Sequence, residues 1–314
     1  MGCYMKDYRN ILVIVDPSLK KQKAVLRAIE FAEKIIATEN ILADDITITA
    51  FCAVYDFSFE VTTFLSEEEN LLMTDSVVEH QKQQLASVIR MYKSPVKIVC
   101  DVSWYNRSFE AILDKVNSLK CDIVIKETHQ HPKLKSLIFT PTDWHLLRKC
   151  PCPLLLVKDH KWPDKGNVIA AIHTTSGETE HITLNKKITQ LAQGFSSLMH
   201  GQPHLVNAYP SAPVNLSIEI PEFNFADFNN TMKRQHDDAM NKHAQAFAIP
   251  KEYTHVVEGL PEEVIAQTAE ELDAELVVMG TIGRTGLSGA LIGNTAEHVV
   301  DLLQCDILAI KPKV

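Results

Sequence analysis

The feature that most limits what this chain can become is an internal repeat. Residues 141–158 read PTDWHLLRKCPCPLLLVK and residues 294–311 read NTAEHVVDLLQCDILAIK. At a constant offset of 153 residues they align without a gap. Thr142 meets Thr295, His145 meets His298, Cys152 meets Cys305, Leu155 meets Leu308 and Lys158 meets Lys311. The same offset pairs Val124 with Val277, Ile112 with Ile265 and Glu110 with Glu263. Segments of this length in one register imply a duplicated domain. A chain of 314 residues has room for two domains of ordinary size. We therefore expect one domain over residues 1–160 and another over 161–314, with WPDKGN (162–167) as the linker.

Hydrophobic periodicity supplies the elements. ILVIV (11–15), ITITAFCAVY (46–55), VKIVC (96–100), DIVIK (122–126) and LLLVK (154–158) read as buried strands. Val25, Ile29, Ala32 and Ile36 recur at helical spacing, as do Val77, Val78, Gln81, Leu85, Val88 and Ile89. Phe109, Ile112, Leu113 and Val116 give a third helix face, and a short helix starts near Pro141. SEEEN (66–70) reads as the cap of the helix that follows it, where negative charge meets the positive dipole end. The second half repeats the scheme, with strands near 168–172, 204–208, 253–257, 275–279 and 306–311. Continuously apolar strands alternating with helices predict parallel sheets in the α/β class. Each half is expected to be a five-stranded, doubly wound, flavodoxin-like domain.

Glycine is distributed unevenly. None occurs from residue 3 to residue 165, yet Gly280, Gly283, Gly286, Gly289 and Gly293 crowd into GTIGRTGLSGALIGNTAEHVV, residues 280–300. The run starts at the end of the strand ELVVM and ends where Asn294 and Glu297 form a capping-box pattern. Glycines let backbone N–H groups approach an anion, and a helix N-terminus adds unpaired N–H groups of its own. The pattern predicts a phosphate cradle. It is neither a Walker A loop, because no Gly-Lys-Ser/Thr follows, nor a Rossmann fingerprint, because the strand before it is the fourth of its domain.

Composition narrows the partners. A net charge of −9 with no dense Lys/Arg cluster argues against nucleic acid. No stretch approaches the roughly 20 apolar residues of a membrane helix, and the short apolar run in MGCYMKDYRNILVIVD is not expected to act as a signal peptide. Seven scattered cysteines fit buried thiols in a reducing cytosol, so a cytoplasmic protein is expected.

Gly280-x2-Gly283-x9-Gly293 followed by a small polar residue resembles the nucleotide-binding loop of the universal stress protein family. FTPTDWHLLRKCPCPLLLVKD, together with YDFS, NRSFEAI and LPEEVI, resembles the tandem members of that family across nearly the whole chain. In ATP-binding members the glycine loop holds phosphates and ribose, an Asp after the first strand meets the nucleoside, and a Val ending the second strand contacts adenine. The second half keeps Gly280, Gly283 and Gly293, but has Asn294 where Ser or Thr is usual, His173 for the Asp and Ala208 at the Val position. The first half keeps Asp16 and Val54, whereas Glu127, Gln130 and Thr140 replace the three glycines.

The resemblance implies a stress-response protein whose C-terminal half binds ATP, ADP or another phosphorylated small ligand, with Mg²⁺ accompanying it. The expected site is Gly280, Thr281, Gly283, Arg284, Gly293, Asn294, Thr295, His173 and Ala208, and the N-terminal half is expected to be degenerate. No catalytic residue is expected, since the loop region offers only Glu297 as a base and capping engages it. A weak ATPase and a carrier of an apolar or amphipathic metabolite are the alternatives. The oligomer is expected to be a monomeric pseudo-dimer or a homodimer.

Other candidates have plainer readings. His129 and His131 could flank a metal, but no third ligand is evident. Cys150 and Cys152 read as packing thiols, and His145 and His298 as helix-face residues with a structural hydrogen bond. Two long connections, DFSFEVTTFLSEEEN and YPSAPVNLSIEIPEFNFADF, read as lids or as walls of an apolar cavity.

Overall fold

The computed structural model describes residues 5–19, 21–56, 66–130, 137–138, 140–210, 224–281 and 294–312. The chain divides into two compact units, one built on Met5–His129 and Ile138–Asp159 and the other on His160–Val314.

The first unit holds strands β1 (Asn10–Ile14), β2 (Thr47–Val54), β3 (Lys97–Trp104), β4 (Ile123–Glu127) and β5 (Leu154–Val157). Its helices are α1 (Lys23–Glu39), α2 (Glu67–Ile89), α3 (Ser108–Leu119) and α4 (Pro141–Lys149). The strands pair in parallel in the order β5-β4-β1-β2-β3. Burial explains the apolar runs: Leu12, Val13, Ile48, Phe51, Ile123, Val124 and Leu155 are all sealed from solvent. Each such side chain contributes about 1.5–3 kcal/mol. Helix α1 covers β1 and β4 through Val25, Ala28, Phe31, Ala32 and Ile35. Helix α2 behaves differently from its period. It packs chiefly on the edge strand β3, and of its 23 residues Leu85 and Ile89 are the buried ones, with Val77 and Val78 half-exposed. Its start matches expectation: Ser66 and Glu69 form a reciprocal capping box.

The second unit repeats the plan. Strands β6 (Asn167–Ala171), β7 (Pro203–Tyr209), β8 (Thr254–Glu258), β9 (Ala274–Gly280) and β10 (Asp306–Ile310) pair in parallel in the order β10-β9-β6-β7-β8. Helices α5 (Thr179–Leu198), α6 (Phe225–Ala246), α7 (Pro261–Glu271) and α8 (Asn294–Leu302) alternate with them. Helix α5 lies on β6, β7 and β9, while α7 lies on β7 and β9 and touches α8. In both units the strand order reverses beside the first strand, between β1 and β4 and between β6 and β9. The carboxyl ends there define the crevice where α/β sheets bind ligands.

The stretch read as a linker is anchored within the second unit. Trp162 is buried edge-on to Phe195, and its indole N–H donates to Asp306 at 3.0 Å. His160 lies 3.0 Å from Glu275 and 3.6 Å from Asp306, so a fully buried carboxylate meets a ring and an indole. No helix among the described residues is long and apolar enough to cross a membrane.

Candidate functional site

At the carboxyl edge of the second sheet, beside the β6–β9 reversal, lies a cavity of about 110 Å³. Its wall is mostly apolar, with Leu184 and Ile188 from α5, Val206 and Ala208 from β7, Ile265 from α7 and Met279 from β9. His173, His181, Asn185, Gly280 and Ala296 complete it. Three residues expected at the site, His173, Ala208 and Gly280, therefore meet around one space.

The turn after β6 is pinned from two sides. The Asn185 side chain accepts from the His173 N–H at 3.2 Å and donates to the His173 carbonyl at 2.7 Å. Asn207 donates to the Ile172 carbonyl at 3.0 Å, and its oxygen accepts from His236 Nδ1 at 2.6 Å. Because the amide oxygen can only accept, His236 carries its proton on Nδ1. His173 itself meets the Thr175 hydroxyl at 3.3 Å and lies edge-on to His181. Buried polar groups paired in this way hold a loop in one conformation. Periodicity did not mark Asn185, Asn207 or His236, since they are polar residues on faces that otherwise read as core.

Gly280 has a packing duty. A Cβ there would come within 2.5 Å of Leu184 Cδ2, so the bare backbone is what lets α5 close on β9. Thr281 is buried; its N–H donates to the Ile310 carbonyl at 3.1 Å, with the hydroxyl 3.5 Å from the same oxygen. Its repeat partner Thr128 does the same to Val157, at 3.1 Å from both donors. Thr281 thus ties β9 to β10. Gly283, Arg284 and Gly293 lie outside the described residues. Asn294 and Thr295 form the first turn of α8, beside the cavity-lining Ala296. Asn294 is the first residue of α8. In the first unit the cap is Thr140, the counterpart of Gly293.

Ladder register corrects one mapping. Ile14 pairs with Phe51 and Ala171 with Val206, which makes Ala208 the counterpart of Ala53 and Tyr209 that of Val54. Ala53 and Ala208 both line cavities, while Tyr209 is buried against His236. The two strands differ by an offset of 155 where the C-terminal repeat has 153, and sequence pairing alone missed the slip.

The first unit has a cavity of about 250 Å³ at the equivalent edge, lined by Asp16, Gln22, Cys52, Ala53, Ser108, Lys126, Glu127, Thr140 and Thr142 among others. It is far more charged. Asp16 accepts from the N–H and hydroxyl of Ser18, an Asx turn leaving β1. Burial, and then the charge of Asp16, pushes the Cys52 thiol up to about 11. Glu127 receives the first N–H of α1, from Lys23, at 3.1 Å and pairs with the Lys23 ammonium at 3.2 Å. The fully buried Asp143 accepts from Thr140 and pairs with Lys126 at 2.7 Å. Glu127, Asp143 and Lys126 correspond to Gly280, Ala296 and Met279.

His145 is held otherwise than expected. It stacks on Phe109 at 3.9 Å, and its buried Nδ1 has no hydrogen-bond partner among the described residues. The backbone of His129 joins a short two-stranded pairing with Leu137–Ile138, and His131 lies outside the described residues. No group of three or more potential metal ligands occurs among the described residues. Cys150 is buried with its sulfur 3.7 Å from that of Cys152, and Cys305 is buried too.

Two α/β units of one strand order, each with a cavity where that order reverses, match the universal stress protein family model at residues 7–158 and 199–311. The chain belongs to the universal stress protein family. It is 44% identical over 311 residues to universal stress protein E of Photorhabdus laumondii, covering 98% of this chain and 96% of that one. The identity is also 44% over 310 residues to universal stress protein E of Escherichia coli K12, covering 98% and 95%. Among solved structures it is similar to protein PA1789 of Pseudomonas aeruginosa PAO1, with a TM-score of 0.72 and 26% identity. That match covers 98% of this chain and 94% of the other.

Proposed function

We propose that the second unit binds a nucleotide of the ATP or ADP kind, or another phosphorylated small ligand, in the β6–β9 cavity. The protein then acts in the stress response through ligand-dependent conformation or partners, in the cytoplasm. One observation carries the reading: where the first unit sets Glu127 and Asp143, the second has Gly280 and Ala296, and among the described residues no carboxylate lines its cavity. An anion there meets no like charge among the described lining residues, and the start of α8 offers a positive dipole end. The apolar wall suits the flat face of a base. Any Mg²⁺ would come with the phosphates.

Among the described residues the titratable groups lining the cavity are His173 and His181, and both are engaged, His173 with Thr175 and His181 with Glu178 at 3.3 Å. This supports binding over hydrolysis. The apolar wall also sustains a second reading, a carrier of an apolar or amphipathic metabolite.

Mass spectrometry of small molecules released from gently denatured, freshly purified protein separates the two. Titration with ATP and ADP, with Ala296→Asp as control, tests the first directly. That substitution installs the first unit's carboxylate, and nucleotide binding should be lost. Equal affinity in wild type and Ala296→Asp, or copurified lipid without nucleotide, overturns the proposal.

A further inference from the structure

Asp143 is a carboxylate buried at a helix start, where negative charge is favoured. It stands in the first turn of α4 with no exposed surface. Its Oδ2 accepts from the Thr140 N–H and the Thr140 hydroxyl, both at 2.7 Å. Its Oδ1 lies 2.7 Å from the Lys126 ammonium, itself buried at the end of β4. Lys126 also donates to the Glu127 carbonyl at 3.2 Å. Capping accounts for the bonds to Thr140, as it does for Ser66 and Glu69 on the exposed start of α2. It does not account for a lysine drawn out of the sheet onto the second oxygen. A buried ammonium persists beside an anion, and an anion is favoured at a helix N-terminus. Both conditions are met by one side chain.

A second observation points the same way. Glu127 places its carboxylate on the first N–H of α1 and on Lys23. Two helix starts at the carboxyl edge of the first sheet are thus supplied with negative charge from within the unit. The counterparts of Glu127, Asp143 and Lys126 in the second unit are the uncharged Gly280, Ala296 and Met279. The cavity of about 250 Å³ reaches Lys126 and Thr140, so a small anion has access to the same groups.

We infer that Asp143 is a built-in anion ligand: it keeps the first unit in an occupied arrangement without any external ligand, and Lys126 with the start of α4 is a latent phosphate site. The inference rests on the first unit alone and stands whether or not the second binds a nucleotide.

The test uses full-length chains carrying Ala296→Asp, which silences the second unit, with inorganic phosphate as the probe. Adding Asp143→Ala should make the melting temperature climb with phosphate, by roughly 2–4 °C near saturation, while chloride of equal ionic strength gives no rise. Chains that retain Asp143, and chains with both Lys126→Met and Asp143→Ala, should show no such rise. Should the Asp143→Ala chain fold in phosphate and not in chloride, the inference is supported. It is overturned if phosphate leaves that chain unchanged, or if the Lys126→Met combination responds equally. It is also overturned if the Asp143→Ala chain folds in neither salt while the Lys126→Met combination folds in both.

Discussion

The two units use one strand order and one threonine tie, Thr128 to Val157 and Thr281 to Ile310. Their carboxyl edges nevertheless solve opposite problems. The first unit fills its edge with charge and satisfies it internally, pairing Glu127 with Lys23 and Asp143 with Lys126. The second lines its edge with apolar side chains, Gly280 and Ala296, and spends its polar groups on pinning the β6 exit through Asn185 and Asn207. A duplicated fold can thus keep its backbone while one copy lines its edge with paired charges and the other, among the described residues, with uncharged side chains and histidines. The difference lies in a few side chains at the strand ends.

The largest effect expected from breaking that contrast comes from Asp143→Ala, which strands a buried ammonium. It should cost about 3–5 kcal/mol in urea denaturation, and adding Lys126→Met should recover most of it. A cost below about 1 kcal/mol for the single change would mean the pair contributes little.

Acid should then separate the units. Burial and the neighbouring His255 push His204 down to about 4, and burial lowers His255 as well; the rings meet at 3.0 Å. Folding favours the neutral rings, so the unfolded chain binds more protons between the ordinary histidine range and about 4. Stability from this pair is complete above pH 6.5 and is lost as pH falls through that window. The first unit has Thr49 and Asp101 at these ladder positions. His204→Phe should flatten the acid slope of the urea midpoint; an unchanged slope would assign acid sensitivity elsewhere.

Gly280→Ala comes next, at about 1–3 kcal/mol, because the added methyl meets Leu184. A double-mutant cycle with Leu184→Ala should show strong coupling, and additive costs would deny the contact. The smallest effect is at the α4 cap. Thr140→Ala should cost about 1 kcal/mol, whereas Thr140→Gly, which copies Gly293, should cost a few tenths. Equal thermal shifts for the two would show that the hydroxyl does not cap.

Much of the fold was legible because its signals are local. Apolar β-branched runs marked all ten strands to within a residue or a few, and a serine followed by three acids marked the start of α2. The site was legible in part. His173, Ala208 and Gly280 do share a cavity, but Leu184, Asn185, Ile188 and Ile265 reach it from helices far away in sequence. Nothing local distinguishes a helical leucine that lines a cavity from one that fills a core. Gly280 was legible as a candidate from the run of glycines; it does line the cavity, but its close packing against Leu184 was not legible.

By itself the sequence determined the duplication, the α/β class, the order of elements and the unequal glycine use, since repeat register, hydrophobic period and backbone permissiveness are properties of short stretches. The meeting of Lys126 with Asp143, the clamp of Asn185 on His173, the slip that matches Ala208 to Ala53, and the burial of His204 against His255 were decided only in three dimensions. Each depends on side chains brought together by strand neighbours and helix packing, and electrostatic and desolvation energies turn on those distances.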